Sequence, residues 1–577
     1  TAHLGRGYGH SHHQRHPRQQ QQQQHAKACS RAVRKHLEHG DVDRALLAFS
    51  SSSEPASADL CAELMAGCLK VGRPNDACRP VEELQRSGQK ISMKQLTSAL
   101  TQTAQLSGQA ELARFVEFAL SFVSVPGPPA NEAYFKHFTR LSVMEFGEEA
   151  AQSLEKVRCR GVSMLQDAGL ALGNLRASTM PKGGQLLLTD DRRGPGATAV
   201  PRESQIMKGD SLLLQQVSTS AHSAPLGYQQ SLTYEGHPHH APQPLSEVEA
   251  EVVTVIPELT VKIAGSSSME SVRGLAGSHF NVFKLANKLV FTRKMDSLRS
   301  LLEEKEPLQE GGPARAQREV DGTLRALLCA GFGCNSPEEQ AAATRDVPRL
   351  CSEPPTGSHP YAAASAPFHL SSVGDINRSQ EEALRAAVIR RFTLIQGPPG
   401  TGKTHTAITL ISLWLRMGQG PVLAASDSNI AVDNLVEGLA AARVRVVRLG
   451  RPEAIRSDLG QYTLESQAGL QADPARDRSA FHQAQQSILK RAQVVCVTCS
   501  GAGSDMLGKL AFPNVLIDEA SQATEPSTIT PLVRGARQVA LVGDHRQLPP
   551  TIISREAELA GLNVSLFDRL VAAGVPP

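Results

Sequence analysis

The sequence predicts a multidomain chain. A C-terminal α/β domain with a parallel sheet surrounds a phosphate-binding loop, and before it come a small β-barrel with a bracing helical stalk and an N-terminal α-helical repeat region. Three observations carry this reading. A glycine loop separates an apolar strand from an amphipathic helix at 392–416. Short apolar runs punctuated by Gly and Pro recur between 185 and 263. Glycines at 40, 72, 108 and 147, in a helical pattern, lie 32, 36 and 39 residues apart. At 577 residues the chain is long enough for roughly three to five domains. Its 60 Lys and Arg against 57 Asp and Glu leave a net charge of +3, so a basic surface for nucleic acid has to be local. No run approaches the roughly 18 apolar residues of a membrane span, which argues against a membrane as a partner. The ten cysteines lack the density of a disulfide framework and fit a reducing compartment.

Residues 1–37 contain seven Lys and Arg, seven His, no acid and the Gln19 to Gln24 tract, a composition expected to be disordered. A metal reading of His10, His12 and His13 is disfavoured, because ligands on a polar tail lack partners to orient them. Residues 38–160 are expected to form the helical repeat domain, with Gly between paired amphipathic helices. The best unit, Ala58 to Ser92, resembles the pentatricopeptide repeat, which implies reading of single-stranded RNA. The alternative is a helical interaction domain for protein partners. Residues 161–204 are expected to be a linker, rich in Gly, Pro and polar residues. Residues 205–375 are assigned to the barrel and stalk with disordered insertions. Gln185–Thr189, Ser211–Gln215, Glu251–Ile256 and Leu259–Ile263 are strand-like runs, and Phe283 to Glu304 reads as a charged helix.

Residues 376–577 carry the chemistry. Phe392–Gln396 is an apolar strand, Gly397 to Thr404 a loop of the pattern G-x-x-x-x-G-K-T, and His405 to Arg416 a helix. Glycines let backbone N–H groups turn onto phosphates, and the helix N-terminus adds partial positive charge. Lys403 reaches the β- and γ-phosphates in this arrangement, and the Thr404 hydroxyl is a hard ligand for Mg²⁺. The strand Asn514 to Asp518 ends in adjacent acids, of which Asp518 is expected to hold Mg²⁺ through water and Glu519 to polarise the attacking water. Runs at 422–425, 444–448, 493–498 and 538–542 supply further strands. The last of these ends in Gly543 to Pro550, where Gln547 is a candidate contact to the γ-phosphate.

These motifs resemble the first RecA-like domain of superfamily 1B helicases. Asn377 to Leu384 is similar to the family's Q motif, Gly397 to Thr404 to motif I, Ala424 to Leu435 to motif Ia, and Thr498 to Gly503 to the next strand-contacting loop. Asp518 to Ala523 resembles motif II and Gly543 to Pro550 motif III. Asp427 stands where the family usually has Pro. Farther upstream, Phe283 to Met295 and Gly209 to Leu214 resemble the return to the stalk and the opening strand of the family's barrel. The resemblance implies ATP and Mg²⁺ as cofactors. It implies adenine reading by Gln380 and nucleotide contacts from Gly397, Pro398, Pro399, Gly400, Thr401, Gly402, Lys403, Thr404 and His405. It also implies contacts from Ser428, Asn429 and Thr498 to single-stranded RNA or DNA. Cys496 and Cys499 lie at a strand end without a second pair, which disfavours a zinc or redox reading.

The function implied is an ATP-dependent RNA/DNA helicase of 5′-to-3′ polarity. In this family a second RecA-like domain supplies arginines to the transferring phosphoryl group, and no such domain is expected within these 577 residues, so they are expected to be poorly active alone. The alternative is a non-catalytic RNA-binding scaffold or ATP-dependent switch. The compartment is left open between cytoplasm and nucleus, with an organelle added by a pentatricopeptide reading.

Overall fold

A computed structural model describes residues 17–51, 57–70, 73–86, 115–117, 119–120, 128–180, 185–192, 200–201, 204–217, 247–255, 258–263, 272–302, 320–355, 376–473 and 476–577. The chain divides into two compact units, 1–124 and 125–577.

In the first unit the helices Pro17–Glu38 and Val42–Ser50 form one hairpin, and Ala58–Lys70 and Pro74–Arg86 a second. Gly40 makes the first turn possible: its φ of +71° suits glycine, and Asp41 then caps the next helix by accepting from the Arg44 N–H. Val33, Leu46, Phe49, Leu64, Met65 and Cys68 are buried between these helices, and Arg34 pairs with Glu63 at 2.6 Å. Residues 17–37, expected to be disordered, are thus helical, and burial of Val33 is what ties the helix's end down. Residues 1–16, Gly72 and Gly108 lie outside the described residues.

The second unit opens with a 31-residue helix, Pro129–Cys159, which the sequence reading had placed in the repeat. Gly147 sits buried inside this helix rather than between two helices. The barrel follows as six antiparallel strands: β1 (Ala171–Thr179), β2 (Gln185–Thr189), β3 (Asp210–Gln216), β4 (Glu247–Thr254), β5 (Leu259–Ile263) and β6 (His279–Asn287). They close in the order β1-β2-β5-β4-β3-β6 around Leu175, Leu186, Leu212, Val252, Val261 and Phe280. Barrel closure leaves no unpaired edge. The barrel therefore begins within the expected linker, and the expected opening strand is its third. Phe283 to Asn287 belongs to β6, not to a helix. The Asn287 side chain caps the helix Lys288–Ser300 by accepting from the Val290 N–H, which sets the strand-to-stalk junction.

The α/β domain has β7 (Phe392–Gln396), β8 (Val422–Ser426), β9 (Val446–Leu449), β10 (Val494–Thr498), β11 (Asn514–Asp518) and β12 (Gln538–Gly543). The sheet is parallel throughout, in the order β7-β12-β11-β8-β10-β9. Continuously apolar strands such as Val494–Val497 are what a sheet covered on both faces requires. A buried hub locks the stalk to this domain. Glu525 pairs with Arg569 at 2.6 Å and accepts from the Tyr134 hydroxyl at 2.6 Å, while Arg569 also donates to the Leu328 carbonyl at 2.8 Å and stacks over Phe332.

Candidate active site

The phosphate loop spans the carboxyl end of β7 and the helix Lys403–Arg416. Gly402 precedes that helix at a φ of +82°. A Cβ on Gly397 would lie 2.9 Å from Lys403 Cγ, so glycine is what lets the lysine fold back across the loop. The Thr401 hydroxyl donates to the Pro398 carbonyl at 2.7 Å and closes the turn. Pro398, Pro399, Gly400, Thr401 and His405 are exposed along the loop.

β11 lies two strands from β7 and brings its acids to the same end of the sheet. The Thr404 hydroxyl donates to Asp518 at 3.3 Å, and Lys403 Nζ stands 3.8 Å from Glu519. Glu519 adopts a left-handed φ of +52°, a sharp turn immediately after the strand. Burial, reinforced by the adjacent Glu519 charge, pushes the Asp518 carboxyl up to about 6. Lys403, Thr404, Asp518 and Glu519 are therefore brought together as their sequence pattern predicts.

Gln547, the candidate contact to the γ-phosphate, is held by a neighbouring acid. Its Nε2 donates to Asp544 at 2.7 Å, a bond that holds the Asp544 carboxyl below the usual range. Gln396 donates to the same carboxylate at 3.3 Å, and Ser521 accepts from the Asp544 N–H at 3.0 Å. Sequence reasoning missed Asp544, Gln396 and Ser521. The one usable signal was the position of Gln396 and Asp544 at the ends of what prove to be adjacent parallel strands. Gln380 lies at the loop's rim, with Nε2 donating to the Thr401 carbonyl at 3.1 Å.

Residues 375–480 and 472–555 match the family described as AAA domain. The regulator of nonsense transcripts 1 homolog of Neurospora crassa is 40% identical over 233 residues, covering 36% of this chain and 21% of that protein. The ATP-dependent helicase upf1 of Schizosaccharomyces pombe is 39% identical, covering 35% of this chain and 25% of the relative. The ATP-dependent helicase NAM7 of Saccharomyces cerevisiae is 38% identical, with 36% and 24% covered. These residues form a UPF1-like superfamily 1 helicase domain. The chain spans between a fifth and a quarter of the length of these three relatives.

In this superfamily 1 domain the residues expected at the nucleic-acid face lie at the carboxyl ends of two adjacent strands, β8 and β10. Ser428 caps the helix Asn429–Ala441, its hydroxyl accepting from the Ala431 N–H at 3.2 Å. Asn429 accepts from Arg448 at 2.8 Å, and that buried arginine is itself held by Asp433 at 2.9 Å. Thr498 accepts from the Gly501 N–H at 3.1 Å and fixes the next loop. The stalk's Arg293 donates to the Ser500 carbonyl at 3.3 Å, and Arg534 to the Ala502 carbonyl at 2.7 Å. Cys496 and Cys499 are fully buried, and burial pushes the Cys496 thiol up to about 12. Among the described residues no helix is long and apolar enough to cross a membrane.

Proposed function

We propose that this chain contributes the nucleotide-binding and strand-binding half of an ATP-dependent RNA/DNA helicase. The carrying observation is the convergence of Lys403, Thr404, Asp518 and Glu519 under a glycine loop at one end of a parallel sheet. Thr404 and Asp518 offer hard oxygens 3.3 Å apart, and the raised Asp518 carboxyl is a buried group short of positive charge, a donor set that fits Mg²⁺. Bound there beside ATP, the ion would neutralise charge developing on the phosphates. Lys403 contributes a fixed cation to the same phosphates, and Glu519 orients and deprotonates the attacking water. Gln380 meets the adenine edge, and Gln547, positioned by Asp544, stands by the γ-phosphate.

Single-stranded RNA or DNA lies across the β8 and β10 loops at Ser428, Asn429 and Thr498, held through its backbone with little sequence preference and with marked salt sensitivity. Polarity from 5′ to 3′ is taken from the resemblance. Calorimetric titration with Mg²⁺-ATP tests the nucleotide assignment. Lys403→Ala should weaken binding at least tenfold through loss of a charge-assisted contact, and unchanged affinity would remove the assignment.

A further inference from the structure

We infer that Gln380, beyond its proposed contact with the base, is a positioning residue that sets the phosphate loop itself. The inference rests on the nucleotide-site reading above. Both ends of the Gln380 amide are committed to backbone: Nε2 donates to the Thr401 carbonyl at 3.1 Å, and Oε1 accepts from the Asn377 N–H at 3.0 Å. These partners fix which way the amide points, since a carbonyl needs a donor and an N–H needs an acceptor. The second bond belongs to a reciprocal cap in which Asn377 accepts from the Gln380 N–H at 2.9 Å, so the side chain projects from an anchored helix start.

The contact extends to the next residue. A Cβ on Gly402 would lie 2.8 Å from Gln380 Nε2, so the amide lies directly against the loop backbone and a larger residue there would displace it. The Thr401 carbonyl and the Gly402 N–H belong to one planar trans peptide and point in opposite directions. Holding the carbonyl on Gln380 therefore turns the Gly402 N–H away from Gln380. That N–H has no backbone partner among the described residues, and it stands one residue before Lys403. An unpaired N–H at this place in a glycine loop is a phosphate donor. Gln380 thus contributes to binding whichever base the nucleotide carries.

Inorganic tripolyphosphate, which has no base, isolates this contribution. Affinities of the 577-residue chain for Mg²⁺-GTP and tripolyphosphate should each fall by about five- to tenfold in Gln380→Met, through release of the Thr401 carbonyl, and that for Mg²⁺-ATP by at least as much. Gln380→Glu keeps the acceptor for the Asn377 N–H, so its helix start stays intact, and loses the donor to Thr401; it should show a loss for all three ligands. Asn377→Ala removes a cap but leaves both Gln380 side-chain bonds in place, and should keep tripolyphosphate affinity within about twofold of the unmodified chain. A Gln380→Met protein that loses ATP affinity yet binds tripolyphosphate normally would reduce Gln380 to a base reader and overturn the inference. Equal losses in Asn377→Ala would overturn it in favour of helix capping alone. Failure of the unmodified chain to bind any of the three ligands would instead defeat the nucleotide-site reading, and this inference with it.

Discussion

The proposed Mg²⁺ role needs Asp518 as an ion, yet its carboxyl sits where an ion is disfavoured. Its carboxyl is pushed up to about 6 from 3.8, so in the nucleotide-free protein the ionised form is the destabilised one. The sign is opposite to that of a salt-bridged carboxylate. The contribution favours folding below the unfolded value near 4 and is lost as pH rises through about 6. Asp518→Asn should therefore raise stability at neutral pH by about 1–3 kcal/mol in urea unfolding while abolishing Mg²⁺-dependent nucleotide binding. A variant no more stable than the parent would mean that burial does not strain the carboxylate. Lys403, Thr404, Asp518 and Glu519 were legible in the sequence because each sits at a fixed offset in a local pattern. Asp544, Ser521 and the loop-holding bond of Gln380 were not, because their partners are 23 or 21 residues away or on another strand, and only the assembled sheet brings them together.

Among the elements, the α/β strands were legible in order because buried parallel strands are uninterrupted apolar runs. β1 was hidden for a physical reason. Its pairing with β6 shifts register between Leu172 and Leu175, and Asn174 takes a φ of +56°, so the bulge breaks the alternation by which a strand is recognised. The helix Pro129–Cys159 was misassigned because Gly147 looks like a turn, whereas packing in the stalk, including the Phe146 and Phe291 rings at 4.7 Å, overrides the propensity. That helix meets the α/β domain at the Glu525 and Arg569 hub, where Glu525 is 1% exposed. Glu525→Ala should cost about 2–4 kcal/mol by leaving a guanidinium that is only 19% exposed without its carboxylate. Tyr134→Phe should cost about 1 kcal/mol, since Arg569 still holds the carboxylate. Replacing Glu525 and Arg569 together by Leu and Met should recover most of the larger loss. Equal unfolding midpoints for Glu525→Ala and the parent would show that the hub does not hold the stalk.

At the scale of the whole molecule, residues 376–577 are proposed to form one half of a two-domain motor. On that proposal Thr404 and Asp518 face the metal and Glu519 the attacking water, and arginines from a second RecA-like domain would add a contribution of the kind worth about 10³–10⁵ in rate. The 577 residues alone should hydrolyse ATP very slowly and unwind no duplex, because translocation needs two domains that close and open on the strand. The most direct test is the ATPase rate with and without single-stranded RNA, measured on the chain joined in cis to a second RecA-like domain of this family. The rate should rise by orders of magnitude over the chain alone, depend on the RNA, and vanish in Glu519→Gln. Robust unwinding by the 577 residues alone, or a joined protein whose ATPase stays at the starting rate or survives Glu519→Gln, would contradict the account.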